Sequence, residues 1–221
     1  MFFENTRCLA CDSVLRFDAW VLELIVAGPR SAGLDCADRE LAACNWRADA
    51  AGALCRSCQL TRTRPNDADA VGLAAFAVAE RAKRRALVQL IELGIPDLEP
   101  GQLAFDMLSS EHEPVSIGHA DGVVTIDLAE SDDARREARR NELGEPYRTM
   151  LGHLRHELGH FAQPRPVAGE QGWARCRQLF GDEREDYAQT QARHYAEGPP
   201  PGWQERVVSA YAIDAPRGGL G

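Results

Sequence analysis

At 221 residues the chain has room for one core-bearing domain and a small module, so two units are expected. The formal charge of -9 at pH 7 argues against nucleic acid as the main partner, because phosphate contact calls for a basic face. No window approaches the roughly 18 apolar residues of a membrane span, and MFFENTRCLAC lacks a basic-then-apolar signal, so a cytoplasmic protein without a membrane partner is expected.

Six of the seven cysteines precede residue 60, in a turn-rich stretch that places a module boundary near residue 65. Cys8-x-x-Cys11 and Cys55-x-x-Cys58 each have the spacing of a knuckle in which two thiolates grip one Zn2+. Cys36, Cys44, Cys55 and Cys58 would make one complete tetrahedral set, leaving Cys8 and Cys11 as half of a second. Cys8 and Cys11 with Cys55 and Cys58 would instead make a single ribbon and strand Cys36 and Cys44. Between the knuckles, Val14 to Phe17 and Trp20 to Val26 read as short strands. Cys176 stands alone and reads as a core thiol.

Arg62 to Asp69 is polar and broken by Pro65, a connector between modules. Val71 to Leu93 has few helix breakers and predicts a long helix stopped at Gly94, with Pro96 just beyond. Its basic cluster, Arg81, Lys83, Arg84 and Arg85, lacks interleaved aromatics and reads as a solvated face. Val115 to Ile117 and Val123 to Leu128, joined through Asp121-Gly122, read as a β-hairpin. Its second member has the alternation of a half-buried edge strand, able to pair with an extended peptide. Ser131 to Glu142 starts on a capping serine and acids and ends in arginines, as a surface helix does.

Pro146 to Phe161 carries the chemistry. Leu151, Leu154, Leu158 and Phe161 recur at helical spacing, and His156-Glu157-x-x-His160 lies within that period. Residues four apart share a helix face, so the two imidazoles can converge on one Zn2+ while Glu157 serves as a general base toward water activated there. His153, on the same face, reads as a hydrogen-bonded packing residue. Farther on, Glu183 and Asp186 share a face of a helix expected over 183–197. They could supply a third ligand, brace a ligating histidine, or pair with arginines. A last short helix is expected from Trp203 to Tyr211.

Several longer stretches carry a family resemblance: FFENTRCLAC, CRSCQLTRTRP, AERAKRRAL, VVTIDLAE, YRTMLGHLRHELGHF and FGDEREDYAQTQARHYAEGPP. Together they resemble the zinc-binding metallopeptidases that carry an N-terminal zinc ribbon, a branch of the gluzincin-like proteases. The resemblance implies His156 and His160 as zinc ligands, Glu157 as general base, and Tyr211 as an oxyanion donor. Members usually begin with another Cys-x-x-Cys and supply a glutamate ligand after the VSAYA-type segment. Here the chain starts at Met1, and the expected acid falls near Gly218, so the sequence reads as truncated at both ends.

The expected architecture is therefore α+β: a zinc-ribbon-like module over 1–65, then a mainly helical, zincin-like metallopeptidase core with a small β-hairpin over 66–221. One catalytic and one or two structural Zn2+ ions, and a peptide or protein substrate, go with it. The competing expectation is a catalytically impaired scaffold whose ribbon docks a protein or nucleic-acid partner.

Overall fold

The computed structural model describes residues 3–28, 33–111, 114–131, 149–167 and 169–180, together with Arg184, Gln189, Ala196 and Gly202. By contacts the chain divides into Met1–Ser131 and Asp132–Gly221. The composition change expected near residue 65 falls inside the first of these units.

The first unit opens with an antiparallel pair, β1 (Leu15–Asp18) and β2 (Glu23–Val26), registered Leu15 to Val26 and Asp18 to Glu23. Phe17 packs its ring 5.3 Å from both Phe3 and Trp46, giving this cysteine-rich part a small aromatic core. Asp35 ties the loops together by accepting from Arg16 Nε and Nη2, each at 2.8 Å, and from Arg39 at 2.5 Å.

A four-stranded sheet follows in the order β3 (Thr61–Thr63), β4 (Ala104–Leu108), β6 (Val123–Asp127), β5 (Gly118–Ala120), mixed because β4 runs parallel to β3 and β6 while β5 and β6 form a hairpin. The hairpin turn is Asp121-Gly122, with φ of 49° and 78°, the left-handed pair of a two-residue hairpin turn. Two expectations are corrected here. The first hairpin strand lies at Gly118–Ala120, three residues beyond the apolar Val115 to Ile117. The strand read as an edge, β6, is interior to the sheet, with Val124 and Ile126 fully buried, so it cannot offer a free backbone to a peptide.

Helix α1 (Ala70–Glu92) starts where Asp69 accepts from the Gly72 amide at 2.8 Å. It ends at Gly94, φ 69°, with Gly94 N donating to Ile91 O and Ile95 N to Leu90 O, both at 3.0 Å, the paired bonds of a Schellman stop. Phe76, Leu87, Leu103, Phe105, Met107 and Ile126 make up much of this unit's apolar core. The reading of the α1 basic cluster as a solvated face is overturned for Lys83 and Arg84, which are 0 % and 2 % exposed, while Arg85 pairs with Glu4.

In the second unit, α2 (Met150–Ala162) begins at Thr149, whose hydroxyl caps the Gly152 amide at 2.9 Å. Met150, Leu154, Leu158 and Phe161 are buried, the apolar stripe expected of this helix. Arg165 lies over the Phe161 ring, 3.3 Å from its centroid, and donates to the Phe161 carbonyl, closing the helix C-terminus. Helix α3 (Gly169–Phe180), which its polar sequence did not announce, carries the buried Cys176. Gln163 Nε2 donates to that sulfur at 3.4 Å. The helices expected over 131–142 and 183–197 and from Trp203 to Tyr211 lie outside the described residues, apart from single positions.

Candidate metal centres

The first centre gathers Cys36, Cys44, Cys55 and Cys58, all buried, with their four sulfurs within 4.8 Å of one another. Zinc sits about 2.3 Å from each thiolate, which puts tetrahedral sulfurs roughly 3.8 Å apart. The Cys44 and Cys55 sulfurs are 3.6 Å apart, so the cavity between them suits that ion. The backbone prepares the site for negative sulfur: Cys55 N donates to Cys36 Sγ at 3.3 Å and Cys58 N to Cys55 Sγ at 3.5 Å. Hydrogen bonds from Cys44, Cys55 and Cys58 hold the Cys36 thiol below its ordinary range. The same mutual contacts, led by Cys36, push Cys55 and Cys58 up.

Of the two pairings open from the sequence, the geometry gathers the first. Cys8 and Cys11 stand apart from this cluster, closed into their own turn by Asp12 N to Cys8 O at 2.8 Å and by Asp12 at φ 56°. Cys11 is exposed, and a hydrogen bond with Ser13 Oγ at 3.2 Å, helped by the Ser13 backbone and Cys8, lowers its thiol pKa. Among the described residues no third ligand joins this pair.

The second centre lies on α2. The four-residue step places His156 Nε2 and His160 Nε2 3.1 Å apart, with the rings perpendicular and their centroids 4.7 Å apart. Two imidazole nitrogens about 2.0–2.1 Å from a tetrahedral zinc lie roughly 3.3 Å from each other, so the two donors fit a shared ion. Both rings are half-buried, whereas Glu157 between them is 7 % exposed. Glu157 Oε1 lies 3.3 Å from His153 Nε2. Burial is the largest single influence on Glu157 and raises its pKa. The His153 hydrogen bond and the charges of His153, His156 and His160 together outweigh it and leave the carboxyl below its usual value. Glu183, Asp186 and Tyr211 lie outside the described residues.

One group of residues escaped the sequence reading. Glu80, Lys83 and Arg84 on α1 are all buried, and Glu80 reaches the first centre, its Oε2 accepting from Cys58 Sγ at 3.9 Å. The only sequence signal was the three- and four-residue spacing of opposite charges, which is also common on solvated helices.

A buried four-cysteine cluster and a helix presenting two convergent histidines beside a buried glutamate are the features expected of a zinc-binding protein. The chain belongs to the family described as "putative zinc-binding metallo-peptidase", whose model matches residues 72–218; a zinc-ribbon domain model matches residues 1–69. Uncharacterised proteins of Mycobacterium bovis and of two Mycobacterium tuberculosis strains are 49% identical to it over 218 residues, covering 95% of this chain and 64% of theirs. The chain thus spans about 64% of the length of these curated relatives. No solved structure matches it. Among the described residues no helix is long and apolar enough to cross a membrane.

Proposed function

We propose that the protein is a zinc-dependent peptidase with His156 and His160 as metal ligands and Glu157 as general base. The observation that carries this reading is the 3.1 Å approach of the two Nε2 atoms on one helical turn, with a buried carboxylate in the same turn. A zinc ion held there supplies Lewis acidity toward water and a carbonyl. Glu157 accepts a proton from the attacking water and delivers it to the departing amine, which balances the hydrolysis without a further acid. His153 fixes the carboxylate through its 3.3 Å contact. In this reading Tyr211 donates to the oxyanion, as the family resemblance implies, and Glu183 or Asp186 completes or braces the ligand set. Free, closely grouped thiols suit a reducing compartment, which supports the cytoplasm as the place of action.

Glu157→Gln keeps the shape of the side chain and removes its basicity. Peptide-library cleavage followed by mass spectrometry should fall to background in this variant, while its zinc content matches that of the wild type. Undiminished cleavage would remove Glu157 from the role.

A second reading, in which the ribbon docks a protein partner and α2 is a scaffold, draws on Leu9, Trp20, Val21 and Val26, which are apolar and 59–96% exposed on the cysteine-rich part. Zinc content separates the readings. His156→Ala costs one zinc per chain under the first and none under the second.

A further inference from the structure

Burying a charged side chain is costly unless an opposite charge lies beside it. Lys83 and Arg84 are both withdrawn from solvent, and so is Glu80, the carboxylate they share. Lys83 Nζ donates to Glu80 Oε1 and to Thr61 Oγ1, each at 2.5 Å, and Thr61 Oγ1 donates to Glu80 Oε1 at 2.5 Å. Arg84 Nη1 lies 3.7 Å from Glu80 Oε2, and Arg84 Nη2 donates to the carbonyls of Ala42 and Ala43 at 3.1 and 2.9 Å. Two fully desolvated cations therefore face one fully desolvated anion. Of the other acids nearby, Asp38 is only half-buried, and Glu4 and Glu40 line a cavity with Arg84, Glu4 paired with Arg85 and Glu40 exposed. The Asp38 pKa is raised, first by burial and then by Cys36.

Lys83 lies 5.1 Å over the Phe105 ring, and the polar groups these cations touch lead to the four-cysteine centre. Glu80 Oε2 is in contact with Cys58 Sγ, Thr61 follows the Cys58 turn, and the two carbonyls held by Arg84 immediately precede Cys44. Arg84 and Cys44 also line one cavity of about 270 Å3, and the charge of Arg84 acts on the Cys44 thiol. Four thiolates around one Zn2+ carry a net charge of about −2, which the protein must balance when the site sits in its interior.

We propose that Lys83 and Arg84 are the counter-charges of the Cys36, Cys44, Cys55 and Cys58 zinc site, so that the ribbon's metal and helix α1 hold each other in place. The one net positive charge on α1 offsets about half of the negative charge of about −2 on the loaded site. Glu80 bridges the two cations and limits the cancellation. Because the metallopeptidase family match begins at residue 72, inside α1, the ribbon's metal then secures the first element of that region. The inference is independent of whether α2 hydrolyses peptides.

The test is zinc release from the whole protein to a chromophoric chelator, read alongside amide hydrogen exchange. Lys83→Met should release the cysteine-bound zinc at least about tenfold faster than wild type, a loss typical of outer-shell changes, and Lys83→Arg should restore retention. Glu80→Gln removes the competing negative charge and should slow release. Opposite signs for Lys83→Met and Glu80→Gln are the signature of charge balance. Equal loosening by both, or wild-type retention in Lys83→Met, would overturn the proposal. If Lys83→Met does not fold, the wild-type protein still decides: stripping the cysteine-bound zinc should expose the α1 amides between residues 70 and 92 to exchange, and unchanged protection there would sink the idea.

Discussion

Asp106 is 8 % exposed, and its two carboxylate oxygens accept from Arg62 Nε at 2.9 Å, from Arg62 Nη2 and from Thr63 Oγ1 at 2.7 Å. The Arg62 hydrogen bond lowers the Asp106 pKa more than any other influence; burial opposes it. A carboxyl depressed in the folded state adds stability above its unfolded pKa of about 3.9 and loses it as pH falls through the folded value. Asp106→Asn should therefore lower the melting temperature at pH 7, with the gap to wild type closing below about pH 4 in thermal melts. On α2 the equivalent one-residue question is His153. Its contact with Glu157 predicts that His153→Ala lowers peptide turnover several-fold while zinc content stays at the wild-type level, because only the base loses its support. Parallel zinc analysis and cleavage assays check this. The sequence placed His153 on this face as a hydrogen-bonded residue, and the four-residue step to Glu157 supplies the partner. The burial of Lys83 and Arg84 was not readable, since it depends on Thr61 and the Ala42 and Ala43 carbonyls, which lie 22 to 42 residues away in the chain.

The elements that were readable end in chemistry that acts locally. Asp69 and Gly94 bracket α1 because capping and a left-handed stop need only the residues beside them. The β5–β6 turn was equally plain from Asp121-Gly122, yet the strand before it was misplaced: the apolar run Val115 to Ile117 is not what pairs, and His119 sits opposite Val124 instead. Strand β3 is the polar triplet Thr-Arg-Thr, and the apolar run of β4 is broken by the buried Asp106, so neither displayed a clean strand alternation. Arg62 and Asp106 join across them, and β4 is held besides by its pairing with β6 and the burial of Phe105 and Met107. The turn itself yields a prediction. Gly122 has φ 78°, and an added Cβ would meet the Gln102 carbonyl, so Gly122→Ala should destabilise the protein by at least about 1 kcal/mol in urea titrations. Asp121→Asn, at φ 49°, should change stability little, since asparagine tolerates the left-handed region.

At the scale of the molecule, the cysteine-rich stretch packs as one unit with the elements that follow it. That unit runs to Ser131 and includes α1 and the sheet, joined by long-range partners such as Arg84 with Ala42 and Arg85 with Glu4, which leave no trace in local composition. Two centres with different ligand chemistry, one of four buried thiols and one of two half-buried imidazoles, should respond separately to their own mutations. In metal analysis of the whole protein, His156→Ala should lose one zinc and leave the thermal unfolding of the cysteine centre in place, while Cys36→Ser should lose a different zinc. The Cys36→Ser loss should also lower the unfolding temperature, because a structural zinc contributes folding energy directly. Loss of both zincs in either variant would mean that the sites are not independent. A structural site, buried and coordinatively closed, should also survive a chelator dose that empties the half-buried histidine pair. Dialysis against graded chelator should therefore remove the α2 zinc first, and release in the reverse order would contradict this assignment of the two centres.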